Sequence, residues 1–145
     1  MTLVVDASVV VKWLVYEPGR ILARELLSRD EQVHAPDLVL VETGNALWKK
    51  VRRGEISVDQ ASTGVISLPR LFESLLPSSA LVGRAMRIAL EIDHPVYDCL
   101  YIACAESLDA WLVTADDRFV RKAKTSSSSV RIYGLSDSNP SSGPH

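Results

Sequence analysis

The chain is short of several things, and each shortage removes a class of protein. Cysteine occurs twice in 145 residues, at Cys99 and Cys104, a spacing that fits no zinc site and suits a reduced, cytoplasmic setting. Histidine occurs three times, at His34, His94 and His145, too few and too scattered for a histidine acid–base pair. Each of the three reads as an ordinary surface or turn residue. No apolar run approaches the roughly 20 residues of a membrane span. The opening MTLVVDASVVVKWL lacks a basic region and carries an aspartate inside its apolar stretch, so it does not read as a signal peptide. Neither a GxxxxGK[ST] phosphate loop nor a GxGxxG fingerprint is present. The net charge of −2 gives no basic excess of the kind that marks many nucleic-acid binders. A divalent ion among gathered carboxylates would nevertheless invert the local field.

What is present fits one globular domain, with hydrophobic residues at 47%. Leu3-Val4-Val5 reads as a buried parallel strand ending at Asp6, with a helix to follow over residues 9–14. A second helix is expected over 20–29 and a second strand over 32–35, stopped by Pro36. The strongest helical pattern runs from 37 to 53, with Leu38, Val41, Leu47, Trp48 and Val51 as its apolar face and Gly54 beyond its end. Ser57 and Gln60 form a capping-box pattern. A short extended piece at 73–76, a helix over 80–92, a helix opened by Asp98 and running to 108, a strand over 111–114, a helix over 118–124 and a strand over 130–133 complete the order. Such alternation predicts a three-layer α/β/α domain with a mainly parallel sheet, spanning residues 1–135. Residues 136–145, ending SDSNPSSGPH, have the composition of a disordered tail.

Four carboxylates stand out. Ligand sites of open α/β sheets lie beyond the carboxyl ends of the strands, and Asp6 and Asp116 each follow a strand there. Glu42 sits beside the apolar stripe of its helix, with Asn45 on the same side; a surface glutamate at the edge of the stripe is the plainer alternative. Asp98 has an alternative as a simple N-cap. An all-carboxylate site without histidine or thiolate favours Mg²⁺ or Mn²⁺, ions suited to hydrolysis at phosphorus. Ser8 has no evident base to make it a nucleophile. Of the neighbours Asp116 and Asp117, whose side chains point in different directions, only one is expected to reach an ion. Two basic groups, Lys49, Lys50, Arg52 and Arg53, then Arg118, Arg121, Lys122 and Lys124, read equally as solvated helix faces or as nucleic-acid contacts.

The segments VVDASVVVKWL, PDLVLVETGNALWK, HPVYDCLYIACAE and LVTADDRF together resemble the acidic motifs of PIN domains, and more narrowly those of the VapC toxins. The resemblance runs in order from residue 3 to about residue 133. It implies a metal-dependent endoribonuclease in which Asp6, Glu42, Asp98 and Asp116 bind Mg²⁺ or Mn²⁺. It also implies supporting roles for Ser8, Asn45 and Thr114, with Asp117 at a variable position where it is expected to cap the helix after the strand. A homodimer and a small antitoxin partner are implied as well, the antitoxin lying along a groove near residues 20–53. A PIN protein of RNA processing or RNA binding without an antitoxin, and a receiver module built on a phosphorylated aspartate, are the alternatives.

Overall fold

The computed structural model describes residues 1–28 and 31–137. Among these residues it has five strands and seven α-helices: β1 (Thr2–Val5), α1 (Ala7–Leu14), α2 (Arg20–Ser28), β2 (Gln32–Pro36), α3 (Leu38–Arg52), α4 (Val58–Ser67), β3 (Ser74–Leu76), α5 (Ser78–Ile92), α6 (Val96–Leu108), β4 (Trp111–Thr114), α7 (Asp117–Ala123) and β5 (Arg131–Gly134). The strands form one sheet in the order β3-β2-β1-β4-β5, every pair parallel. Leu3, Val4 and Val5 are fully buried, as a central strand covered on both faces requires. Helix α6 packs across β1, β2 and β4 with α5 behind it. Helix α1 packs on β4, α2 and α3, and α7 lies on β4 and β5. This is the expected three-layer arrangement.

The sheet order places the site. From β1 the chain winds outward to β2 and β3, and from β4 it winds the other way to β5. The β1/β4 boundary is therefore the switch point, where a crevice opens beyond the strand ends. The register pairs Val5 with Val113, so Asp6 and Thr114 leave the sheet side by side. Helix α6 must run back to the start of β4, which brings its first turn to this same edge.

Three local expectations are corrected. Helix α3 buries Val39, Thr43 and Leu47, while Val41 and Trp48 are 71% and 54% exposed. The run Leu38–Leu40–Val41 is apolar all round, so its stripe can be drawn in more than one way. The packing chooses residues four apart, and Trp48 with Val51 lines a groove against α4 instead. Second, α6 starts at Val96 with Pro95 as its N-cap, so Asp98 is the third helical residue and not the cap. Pro95, read as the stop of the preceding helix, also starts the next one, because a fixed φ suits a helix start. Third, the cap of α7 is Asp116, not Asp117. The Ser57–Gln60 capping box forms on both sides, with bonds of 3.1 and 2.8 Å. Of the expected tail, Ser136 and Asp137 close a turn on Gly134, and residues from 138 onward lie outside the described residues.

Candidate active site

Asp6 is the centre of the arrangement. It ends β1 and caps α1, with only 6% of its surface exposed. Its Oδ1 accepts from the Ser8 hydroxyl at 2.5 Å and from the Val9 amide at 3.4 Å, and its Oδ2 accepts from the Thr114 hydroxyl at 2.5 Å. The two hydroxyls are stitched to the next strand end in turn. Ala115 N–H donates to Ser8 Oγ at 2.9 Å and Asp116 N–H donates to Thr114 Oγ1 at 3.1 Å. A buried carboxylate resists ionisation. Burial, opposed by these hydrogen bonds and aided by the charge of Asp98, pushes Asp6 up to about 6.

Glu42 stands half-buried on the second turn of α3. Its Oε1 accepts from the buried Tyr101 hydroxyl at 2.6 Å. Burial raises it above the usual glutamate range, and Asp98 raises it further against the Tyr101 bond. Tyr101 is in turn held protonated by burial and by Glu42. Asp98, one turn before Tyr101 on α6, has its Oδ2 2.6 Å from His94 Nε2. Asp98 thus lies within electrostatic reach of both Asp6 and Glu42. Asp116 is joined to Asp6 through its backbone N–H, by way of the Thr114 hydroxyl. Its Oδ1 accepts from the Arg118 and Phe119 amides at 2.9 and 3.2 Å, capping α7.

Asn45 is exposed one turn beyond Glu42, and among the described residues no hydrogen bond links the two. Asp117 opens α7 and points its carboxylate toward Gly134, where a Cβ would stand 3.3 Å from Oδ1. Lys50 is committed to Glu17 and Glu55, at 2.7 and 3.2 Å. Arg118, Arg121 and Lys124 stay exposed along α7, from its first turn after Asp116 to its far end. The thiols of Cys99 and Cys104 are buried and pushed by burial to about 11 and about 12, which leaves them inert.

Two residues in this arrangement were not singled out in the sequence. Tyr101 holds Glu42, and the i, i+3 spacing in YDCLY was the signal that sets it on the Asp98 face. His94, set aside as a turn residue, holds Asp98. Among the described residues no three acidic, histidine or cysteine side chains stand as a ready-made cage for an ion. The donor set still suits a hard cation by its chemistry, being all oxygen. Asp6 and Glu42 are both destabilised as anions, by burial and by Asp98, and a bound cation would relieve that.

Residues 3–125 match the PIN domain family. The chain is 35% identical over 124 residues to Ribonuclease VapC3 of Pyrobaculum aerophilum, covering 84% of this chain and 95% of that one. It is 35% identical over 117 residues to Ribonuclease VapC1 of Mycobacterium tuberculosis, covering 79% and 86%. The fold superimposes on the crystal structure of PAE2754 from Pyrobaculum aerophilum with a TM-score of 0.63 at 28% identity, covering 93% of this chain and 92% of the other.

Proposed function

The chain belongs to the PIN-domain family, among the VapC proteins, and from that premise we propose that it is a Mg²⁺- or Mn²⁺-dependent endoribonuclease acting as the toxin of a toxin–antitoxin pair. The observation that carries the reading is Asp6. It is a buried carboxylate at the β1/β4 switch point, held by three donors and raised by the charge of Asp98, which raises Glu42 as well. Asp6, Glu42, Asp98 and Asp116 are the residues that would hold the metal. When bound, such an ion supplies Lewis acidity and counter-charge for in-line displacement at phosphorus.

The chain's own groups do the rest. Ser8, Thr114 and the Val9 amide fix both oxygens of Asp6, and Tyr101 fixes Glu42. The amides of α7 orient Asp116. Arg118, Arg121 and Lys124, spread along α7, offer positive charge to RNA phosphates. Of the exposed apolar surfaces among the described residues, two suit the partners. A groove of about 520 Å³ between α3 and α4, lined by Leu47, Trp48, Val51, Val58, Val65 and Ile66, suits an apolar segment of an antitoxin. Val82, Met86 and Leu90 form an exposed row on α5 that suits a second copy of the chain. Among the described residues no helix is long and apolar enough to cross a membrane.

The test is cleavage of a pool of structured RNAs by the purified chain. Cutting should need Mg²⁺ or Mn²⁺, stop on chelation, and be largely lost in Asp98→Asn with the fold intact. Chelator-resistant cleavage would overturn the mechanism. A short neighbouring reading frame whose product binds and silences the chain separates the toxin from a PIN protein of RNA processing.

A further inference from the structure

His94 is placed with unusual firmness for a residue in a connector. Helix α5 ends at Asp93, which takes the left-handed conformation (φ 51°) and returns its N–H to Ala89 O. The His94 N–H reaches the same carbonyl at 3.2 Å, and Pro95 then starts α6. Only these three residues separate two packed helices, so the backbone at His94 has little freedom. Its ring lies flat on Phe119, with centroids 5.5 Å apart and planes 3° from parallel. Phe119 is 1% exposed, so this platform is fixed by the core. From there Nε2 meets Asp98 Oδ2 at 2.6 Å. A carboxylate only accepts, so Nε2 carries the hydrogen in this pair.

The platform has a second contact. The Phe119 amide is one of the two donors to Asp116 Oδ1. One residue therefore supports the Asp98 carboxylate through a stacked ring and the Asp116 carboxylate through its backbone, although the two acids come from different helices. Carboxylates drawn to one edge repel, as the effect of Asp98 on Asp6 and Glu42 shows. An unheld Asp98 side chain, a third exposed, would turn toward solvent.

We propose that His94 is a positioning residue which, braced on Phe119, holds the Asp98 carboxylate in place for a divalent cation. The proposal rests on the metal-dependent reading of the site above. Hydrogen-bond partners of metal-ligating side chains spare the ion the work of ordering them, and their loss typically weakens metal affinity or activity about 10- to 100-fold.

The test measures Mn²⁺ affinity of the full chain directly, by calorimetry or by the spin-resonance signal of free Mn²⁺, together with the thermal midpoint without metal. His94→Phe keeps a ring on Phe119 and removes the N–H. It should bind Mn²⁺ about 10-fold or more weakly, with the metal-free midpoint nearly unchanged. His94→Gln, which returns an N–H at similar reach, should recover most of the affinity. In an Asp98→Asn background, His94→Phe should add nothing. Unchanged affinity in His94→Phe overturns the proposal. So does a loss that His94→Gln fails to rescue, or one that persists undiminished beside Asp98→Asn. If the unmodified chain binds no Mn²⁺, the metal-dependent reading itself fails and takes the proposal with it, a result distinct from the other three.

Discussion

Burial of Asp6 sets the fold against its own chemistry, and the conflict has a measurable sign. In the unfolded chain this carboxyl loses its proton near its ordinary value of 3.8; in the metal-free folded chain burial delays the loss to about 6. Between those values the folded state binds more protons, so stability falls as pH rises through the window and the full penalty is present above it. A displacement of about two pH units corresponds to something on the order of 3 kcal/mol. Asp6→Asn removes the charge while Oδ1 can still accept from Ser8 and Val9. In chelator it should melt about several degrees above the unmodified chain at pH 7.5 and close to it at pH 4. Thermal melts at the two pH values check this, and a variant less stable at both would contradict it. The same substitution should abolish cleavage. That combination, a more stable and inactive protein, separates a functional carboxylate from a structural one.

Helix ends decide which of two adjacent aspartates matters, and they also show where sequence patterns run out. The apolar runs that stop at Asp6 and at Thr114 were legible, because a strand buried on both faces has no polar positions to spare. The capping box at Ser57 was legible because its two bonds are local. What was not legible depended on partners far along the chain. Nothing near Glu42 announces Tyr101, 59 residues on, and nothing near His94 announces the Phe119 ring. Asp117 was expected as the cap of α7, but the chain is still extended at Asp116 (φ −100°, ψ 103°), so that side chain meets the Arg118 and Phe119 amides first. Asp116→Ala should therefore cost about 0.5–2 kcal/mol for the lost cap and also remove most cleavage and weaken Mg²⁺ binding. Asp117→Ala loses only a favourable charge in the first turn, about 0.3–1 kcal/mol at most, and should cut RNA nearly as well as the unmodified chain. Melting curves and cleavage rates of the two variants, at several Mg²⁺ concentrations, test the assignment. An inactive Asp117→Ala with an active Asp116→Ala would reverse it.

At the scale of the whole molecule the two apolar faces assigned to partners lie on different elements, and that separation makes the assignments testable one at a time. Helix α5 turns Leu81, Ala85, Ile88, Ala89 and Ile92 inward. Val82, Met86 and Leu90 stay outside at 45%, 45% and 76% exposure. Spaced four apart, they form a row about 12 Å long on one helix. A row of three with Met86 in the middle maps onto itself when two copies meet antiparallel, which is the requirement of a two-fold interface. The α3/α4 groove has no such symmetry; it is a trough between two helices, proposed above for an antitoxin segment. Met86→Lys sets two ammonium groups against each other at the centre of the first face. It should convert the proposed dimer to a monomer in light scattering at micromolar concentration, without disturbing the buried side of α5. Capture of the antitoxin should persist, because no residue of the groove has changed. Ile66→Glu, at the exposed lip of the groove, should do the reverse, keeping the dimer and weakening antitoxin binding. If Met86→Lys remains dimeric, the second copy docks elsewhere; if it also loses the antitoxin, the two faces are one composite interface and the separation argued from the fold fails.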